Sequence, residues 1–174
     1  MPTSDVEVLV EVFSLSDYYK DYYDITGPGF LFATTVTWYI NPTWELTDLI
    51  AMCWSDEFTI YDTYAYGYGI KDGYSTSSYL EDSSFTLKET TPETGVEWAW
   101  NLKLDVVESE GVICAIVGLP SGSSGSANLC GGYAHTVGAV FDLDAAFSDK
   151  SISFTSALGM GFESAVPDVI GFSY

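Results

Sequence analysis

The stretch VEWAWNLKLDVV, residues 96–107, alternates apolar and polar side chains at nearly every position. Strand side chains point alternately to opposite faces, so this period predicts an antiparallel strand with one face on a core and one in water. We expect Trp98 and Trp100 to be largely buried, and Glu97 and Lys103 to be exposed. The apolar face comprises Val96, Trp98, Trp100, Leu102, Leu104 and Val106.

Similar runs recur along the chain, with turn residues between them. VEVLVEV at 6–12, EFTIYDTYAYGYGI at 57–70 and VICAIVGL at 112–119 are predicted strands. PTWELTDLIAMCW at 42–54 fits a helix or a strand, and its β-rich surroundings favour the strand. The sequence predicts an all-β fold, an antiparallel β-sandwich or jelly roll of about eight to ten short strands with little helix, in a single domain over 1–174.

The charge balance is strongly acidic. The 174 residues carry 25 acidic side chains against five lysines and no arginine, for a net charge of −20. Nucleic-acid binding needs basic side chains at the phosphates, so no nucleic-acid partner is expected. The apolar run at 112–119 is far shorter than the roughly 20 residues of a membrane helix, so no membrane insertion is expected. The acidic surface fits either a well-solvated protein that resists association or an adaptation to high salt, where self-repulsion is screened.

The stretch YDTYAYGYGI, residues 61–70, repeats tyrosine at every second position. The tyrosines of one face are Tyr64, Tyr66 and Tyr68. They continue the period of Phe58, Ile60 and Ile70, and this continuity predicts rings packed against an adjacent sheet or subunit. The alternative is an exposed contact surface for sugar or protein, because tyrosine is common in such surfaces.

The three cysteines, Cys53, Cys114 and Cys130, lack the close pair spacing of a zinc site. Buried thiols are the default interpretation. Cys114 and Cys130 lie equally far from residue 122, so a hairpin centred there would place them opposite one another. A cross-strand disulfide between these two residues is then geometrically allowed.

Candidate catalytic and metal-binding residues are few. His135 is the single histidine, lies outside any nucleophile elbow, and is predicted to be structural. FDLDAAFSDK at 141–150 supplies Asp142, Asp144 and Asp149 as weak calcium candidates, without the glycine and terminal glutamate of an EF-hand loop. No other cofactor is expected.

VEWAW at 96–100, with Glu97 on the polar face of an aromatic strand, resembles the nucleophile strand of the small jelly-roll xylanases. The resemblance implies a glycosidase with two carboxylates facing a sugar. The second strand of that family, Glu-Gly-Tyr near the end of the chain, is absent, since Glu110 and Gly111 are followed by Val112. We therefore expect Glu97 to be a solvated strand carboxylate and the protein not to be an enzyme.

The composition is aromatic, hydroxyl-rich and acidic, as on an extracellular surface, yet the opening MPTSDVEVLVEVF lacks the basic and apolar regions of a secretory signal. Virion proteins reconcile the two, because they are made in the cytoplasm and end up outside. We predict a structural or interaction protein, most specifically an outer virion component (capsid, decoration, spike or tail protein), that forms a homo-oligomer or binds other virion or surface proteins. The alternatives are a carbohydrate-binding, lectin-like module, an extracellular filament subunit and a jelly-roll glycosidase.

Overall fold

The computed structural model describes residues 5–39, 47–71, 77–80, 85–91, 93–101, 106–136, 143–148, 151–156 and 162–174. These ranges form twelve strands and one short helix. In chain order the elements are β1 (Val6–Ser14), α1 (Asp17–Tyr22), β2 (Gly29–Trp38), β3 (Thr47–Lys71), β4 (Ser77–Leu80), β5 (Phe85–Thr91), β6 (Glu93–Asn101), β7 (Val106–Gly118), β8 (Ser126–Thr136), β9 (Leu143–Ser148), β10 (Ser151–Ser156), β11 (Phe162–Ser164) and β12 (Asp168–Ser173). The all-β prediction is confirmed, and no helix in the described ranges is long and apolar enough to span a membrane.

Strand β3 belongs to two antiparallel sheets. Its second half, from Thr59 onward, pairs with β7 and β4, and β7 continues through β2 to β1; we call this the first sheet. Its first half, up to Trp54, lies between β6 and β8, which pair with β5 and with β11 and β12; we call this the second sheet. Strands β9 and β10 form a separate hairpin. The strand favoured for 42–54 is confirmed over 47–54, and the rest of that stretch lies outside the described residues.

The two sheets share one apolar core. Phe32 and Ile113 of the first sheet belong to the same buried cluster as Ile50 of the second sheet. Trp100 is fully buried in this cluster, and Trp98 is partly buried against it. The apolar face of 96–101 therefore lies on the core, as its period predicts.

The opposite face of β6 is covered, although the sequence predicts it to be in water. Glu97 is only 1% exposed, so its expected exposure is wrong. The β9–β10 hairpin lies over it, and the Ala145 amide donates to Glu97 Oε2 at 3.0 Å. The ring of Phe147, in the same hairpin, lies against Gly95. The alternation within one strand cannot show that a hairpin from elsewhere in the chain covers its polar face. Lys103, also expected to be exposed, lies outside the described residues.

Strands β7 and β8 follow one another in sequence but do not pair. Strand β7 lies between β2 and β3 in the first sheet, whereas β8 pairs with β3, β11 and β12 in the second. Gly122 lies in the connection with a φ of 84°, a left-handed conformation that favours glycine. The connection thus crosses between sheets, and β7 and β8 form no hairpin centred on residue 122.

Candidate interaction surface

One extra residue in β3 decides which way the tyrosines point. Ile60 pairs with Val117 and Asp62 with Ile116, so Tyr61 has no opposite residue in β7. Such a β-bulge shifts the alternation of the strand by one position. Phe58, before the bulge, is fully buried, whereas the alternate residues after it point away from the core.

The tyrosines consequently lie on the outer face of the first sheet. Tyr64 is 38% and Tyr68 is 39% exposed, and Tyr66 is half-buried. The predicted packing of these rings against an adjacent sheet of the same chain is therefore wrong. Continuity with Phe58 fails because the bulge reverses the faces between the two segments.

The small residues opposite the tyrosines form the inner layer. A Cβ at Gly67 would lie 2.8 Å from the carbonyl oxygen of Glu110 and 3.0 Å from the ring of Phe85. A Cβ at Gly111, the residue paired with Gly67, would lie 3.0 Å from the ring of Trp100. Only glycine fits where the backbones of β3 and β7 approach these aromatic rings, so the large side chains at the alternate positions of β3 point outward.

Each of the three tyrosines is the last member of a row of side chains that crosses four strands. Residues paired in antiparallel strands point to the same face, so each row is read from the pairing of β1, β2, β7 and β3. One row runs Leu9, Thr35, Val112, Tyr66; the next runs Glu11, Ala33, Cys114, Tyr64; two flanking rows run Glu7, Thr37, Glu110, Tyr68 and Phe13, Leu31, Ile116, Asp62. We call the outer surface formed by these rows the tyrosine face.

The tyrosine face has an apolar centre. Ala33, Val112 and Cys114 form a small buried cluster, against which Leu31 and Tyr66 pack. Burial raises the pKa of the Cys114 thiol to about 11, and burial also raises the pKa of the Tyr64 hydroxyl from its ordinary value, so both groups are neutral at pH 7.

The tyrosine rings are ordered relative to one another. The centroids of Tyr64 and Tyr66 lie 6.3 Å apart with an interplanar angle of 18°, and those of Tyr66 and Tyr68 lie 6.0 Å apart at 81°. At the opposite side of the face, Leu9 is 46% and Phe13 is 47% exposed. Leu9 lies between Glu7 and Glu11 on the otherwise acidic side of VEVLVEV. This exposed leucine is the sequence signal that could have shown that β1 contributes to the same surface as the tyrosines.

Carboxylates surround the apolar centre. Glu7, Glu11, Asp62 and Glu110 occupy positions in the rows of the tyrosine face. Two of them accept hydrogen bonds from nearby phenols. The Tyr23 hydroxyl donates to Asp62 Oδ2 at 3.0 Å, and the Tyr39 hydroxyl donates to Glu7 Oε2. The surface thus combines phenol donors with carboxylate acceptors around aromatic rings.

A cleft of about 320 Å³ opens where the first sheet ends beside Tyr68. The residues that line it include the aromatic residues Tyr39 and Tyr68 and the carboxyl-bearing residues Glu108 and Glu110. The cleft and the tyrosine face share Tyr68 and Glu110, so they form one continuous surface.

The buried carboxylate Glu97 lies at a different place, beneath the β9–β10 hairpin. Lys88 Nζ lies 3.4 Å from Glu97 Oε1 and 3.0 Å from Asp144 Oδ1, and it also donates to the Leu143 carbonyl. Burial raises the pKa of Glu97, an effect that the Ala145 amide and the Lys88 charge oppose. This ion cluster joins the hairpin to β5 and β6.

The structure describes only one of the three calcium candidates. Asp144 forms an ion pair with Lys88, and Asp142 and Asp149 lie outside the described residues. Among the described residues no group of three or more histidine, cysteine, aspartate or glutamate side chains is arranged to hold a metal ion. Calcium binding by this segment stays a prediction.

A buried hydrogen-bonded network occupies the core near one end of the two sheets, and the sequence offers no signal for it. Asp48 is fully buried, its Oδ1 lies 2.7 Å from His135 Nδ1, and its Oδ2 accepts from the Tyr133 hydroxyl. Trp38 Nε1 donates to that hydroxyl at 2.7 Å. Burial raises the pKa of Asp48, and the hydrogen bond to His135 opposes the rise. The four side chains satisfy one another, which fits the structural role predicted for His135.

The cysteines occupy two separate places. Cys114 lies in the first sheet opposite Ala33 and Tyr64, and Cys130 lies in the second sheet opposite Cys53. Because β7 and β8 do not pair, the premise for a disulfide between Cys114 and Cys130 does not hold. All three cysteines are buried thiols, as the default interpretation expects.

No protein-family model and no curated protein matches this chain. Among solved structures, one described as "Pore forming protein" is 10% identical, with 97% of this chain and 90% of that chain covered and a TM-score of 0.44. Clostridium perfringens delta-toxin is 6% identical, with 99% and 86% covered and a TM-score of 0.38. A third, described as "AvmM Catalyzes Macrocyclization in Alchivemycin A Biosynthesis", is 11% identical, with 95% and 87% covered and a TM-score of 0.36. Likenesses at these TM-scores carry no functional argument.

Proposed function

We propose that this protein is a structural, self-assembling interaction protein, most specifically an outer virion component, and that its copies associate through the tyrosine face. The observation that carries the proposal is the grouping of exposed apolar and aromatic side chains on one face of one sheet, Leu9 and Phe13 on β1 and Tyr64 and Tyr68 on β3. Several exposed apolar residues on one face mark a contact site, whereas single ones do not. Tyrosine is also enriched among the residues that dominate binding energy at interfaces.

The chemistry of the surface suits a second copy of the same chain. A two-fold interface is self-complementary, so each surface must carry both members of every contact. The tyrosine face carries phenol donors and carboxylate acceptors, and Tyr23 with Asp62 already makes such a hydrogen bond within the chain. Two facing copies would pair Tyr64 or Tyr68 of one with a carboxylate of the other around stacked rings.

Charge sets the condition under which this association is favourable. Each copy carries a net charge of −20, and the carboxylates of the tyrosine face would approach one another. Repulsion between such surfaces falls as salt shortens the Debye length from about 30 Å at 0.01 M to about 3 Å at 1 M. We therefore expect self-association to strengthen as ionic strength rises.

Sedimentation velocity at low and at molar sodium chloride tests the proposal. The wild-type chain should form larger species at high salt, and the triple variant Tyr64→Ala, Tyr66→Ala, Tyr68→Ala should stay a monomer. The matched control replaces Tyr18, Tyr19 and Tyr22 of α1, which are 72%, 52% and 71% exposed. That control removes as many tyrosines from elsewhere on the surface and should assemble normally.

The form of the assembly tests the virion role. A two-fold contact alone closes at a dimer, so a capsid protein needs a second interface that joins such pairs, and electron microscopy of the high-salt species should then show closed rings or shells. Open filaments would instead support the filament alternative. Association through this face would be contradicted if the chain stays monomeric at every salt concentration. It would also be contradicted if the tyrosine substitutions leave assembly unchanged.

A carbohydrate-binding function is the second candidate, and the cleft beside Tyr68 favours it. Its volume of about 320 Å³ lies at the lower end of small-ligand sites, and its walls pair aromatic rings with carboxylates. Rings of Tyr39 and Tyr68 would stack on a sugar whose hydroxyls donate to Glu108 or Glu110. A polysaccharide pull-down should then retain the wild-type chain and release Tyr39→Ala, while the α1 triple variant stays bound. No retention on any polysaccharide tested would remove this candidate.

A further inference from the structure

The second sheet contains two cysteines directly opposite one another. Cys53 of β3 pairs with Cys130 of β8 in the antiparallel register. Opposed residues in such strands have Cα atoms about 4.5 to 5.5 Å apart, within the range of about 4.4 to 6.8 Å that a disulfide spans. Paired residues point to the same face, and both side chains lie in one buried cluster with Ala51 and Ile152.

The thiols of this pair differ from the thiol of Cys114. The Cys53 thiol lies 3.5 Å from the Ser148 carbonyl oxygen and 3.7 Å from that of Ser151, both on the β9–β10 hairpin. A hydrogen bond from Cys53 lowers the pKa of the Cys130 thiol despite its burial, whereas burial raises the pKa of Cys114 to about 11. Because the thiolate is the nucleophile, the lowered pKa favours Cys130 over Cys114 as the attacking thiol.

Access to the pair is controlled by the β9–β10 hairpin. Cys53 and Cys130 are each 1% exposed, and Phe147 and Phe154 of the hairpin pack over their cluster. Among the described residues, the hairpin shares no backbone ladder with either sheet. A lone two-stranded hairpin is marginally stable, so local opening of this element is the least costly route by which an oxidant reaches the thiols.

We propose that Cys53 and Cys130 form a reversible cross-strand disulfide on reaction with a small disulfide oxidant such as oxidised glutathione. The Cys130 thiolate attacks one oxidant sulfur, the oxidant S–S bond breaks, and one glutathione leaves as a thiolate that takes up a proton. Cys53 then loses its proton and attacks the Cys130 sulfur, which releases the second glutathione as a thiol. Two protein thiols are oxidised, one oxidant disulfide is reduced to two thiols, and β3 becomes covalently joined to β8.

Thiol counting on the folded chain tests the proposal. After incubation with oxidised glutathione and removal of small thiols, the denatured wild-type chain should present one thiol in place of three, with an intact mass lower by about 2 Da. Dithiothreitol should restore all three. Digestion without reductant should yield a linked pair of peptides that contain Cys53 and Cys130.

Two variants separate this pair from general thiol oxidation. Cys114→Ser should still lose two thiols, and Cys53→Ser should instead keep a glutathione adduct on Cys130. The peptide map of the wild-type chain decides the matter even if Cys53→Ser does not fold. Three thiols retained across the oxidant range, or a linked peptide that contains Cys114, would overturn the proposal.

Discussion

At the scale of single residues, Trp100 shows how the core limits its neighbours. The indole is fully buried, and its ring stacks on Phe85 with centroids 5.6 Å apart and an interplanar angle of 9°. Gly111 lies beneath it, where any Cβ would be 3.0 Å from the ring. The ring therefore fills a space bounded by aromatic side chain on one side and bare backbone on the other.

Trp100→Ala should lower the free energy of unfolding by about 3–5 kcal/mol, because it leaves a large cavity that a rigid backbone fills poorly. Urea denaturation followed by circular dichroism measures the loss. Tyr22→Ala is the control, since that ring is 71% exposed and its removal should change stability by no more than about 0.5 kcal/mol. Equal effects of the two substitutions would contradict the burial of Trp100.

Glu97 makes stability depend on pH. Burial raises its pKa in the folded chain above the ordinary value that it keeps when unfolded. Between these two values the folded chain holds a proton that the unfolded chain has lost. Stability from this group is therefore greatest below the ordinary pKa and falls as pH rises toward the raised one.

Glu97→Gln should remove this pH dependence, because glutamine does not titrate. We expect the free energy of unfolding of the variant, relative to wild type, to increase as pH rises from about 4 to about 7. Urea denaturation at intervals across that range measures the difference. Glu57→Gln, at an exposed position of β3, is the control, and its free energy of unfolding should follow that of the wild type across this pH range. If the curve of Glu97→Gln also follows that of the wild type, the result argues against the burial of Glu97.

At the scale of elements, the bulge in β3 divides one strand into two segments with opposite faces. Before it, Phe58 points into the core. After it, Ala65 packs against the core, Gly67 is buried and the tyrosines point outward. The sequence period continues unbroken through 58–68, because both segments alternate regularly. The bulge is a property of the pairing with β7, and the pattern of β3 alone does not contain it.

Deletion of Tyr61 should cost more than about 4 kcal/mol or prevent folding, because removing the bulge turns the tyrosines toward space that only glycine and alanine fit. Far-UV circular dichroism and urea denaturation report the outcome. Tyr61→Ala keeps the extra residue and removes a ring that is 38% exposed, so it should cost less than about 1.5 kcal/mol. A deletion variant as stable as this control would refute the role of the bulge.

At the scale of the whole molecule, acidic charge dominates the surface. Five lysines oppose 25 acidic side chains, which leaves a net charge of −20, and Lys88 is committed to the ion cluster under the β9–β10 hairpin. Repulsion among so many carboxylates destabilises the compact state at low ionic strength. The high-salt interpretation of the composition stays a prediction that a melting experiment decides.

The melting temperature should rise by several degrees between low and molar sodium chloride, because salt screens repulsion among exposed carboxylates. Differential scanning calorimetry at dilute concentration separates this effect from assembly. A variant with Asp21, Asp24, Glu57 and Glu108, all exposed, replaced by their amides should show a smaller rise. If the melting temperature of the wild-type chain stays flat, the acidic surface serves solubility alone.

The sequence by itself determined the features that depend on local period and composition. Alternation along 96–101 places Trp98 and Trp100 on one face, and the tyrosine spacing places Tyr64, Tyr66 and Tyr68 together, because strand side chains alternate whatever the partner. Tertiary structure decided which of those faces is inside. One unpaired residue in β3, a hairpin laid over Glu97 and a crossing connection that sets Cys130 opposite Cys53 are relations between distant segments. Such relations arise from pairing and packing energies between strands, and a single strand's pattern carries no record of them.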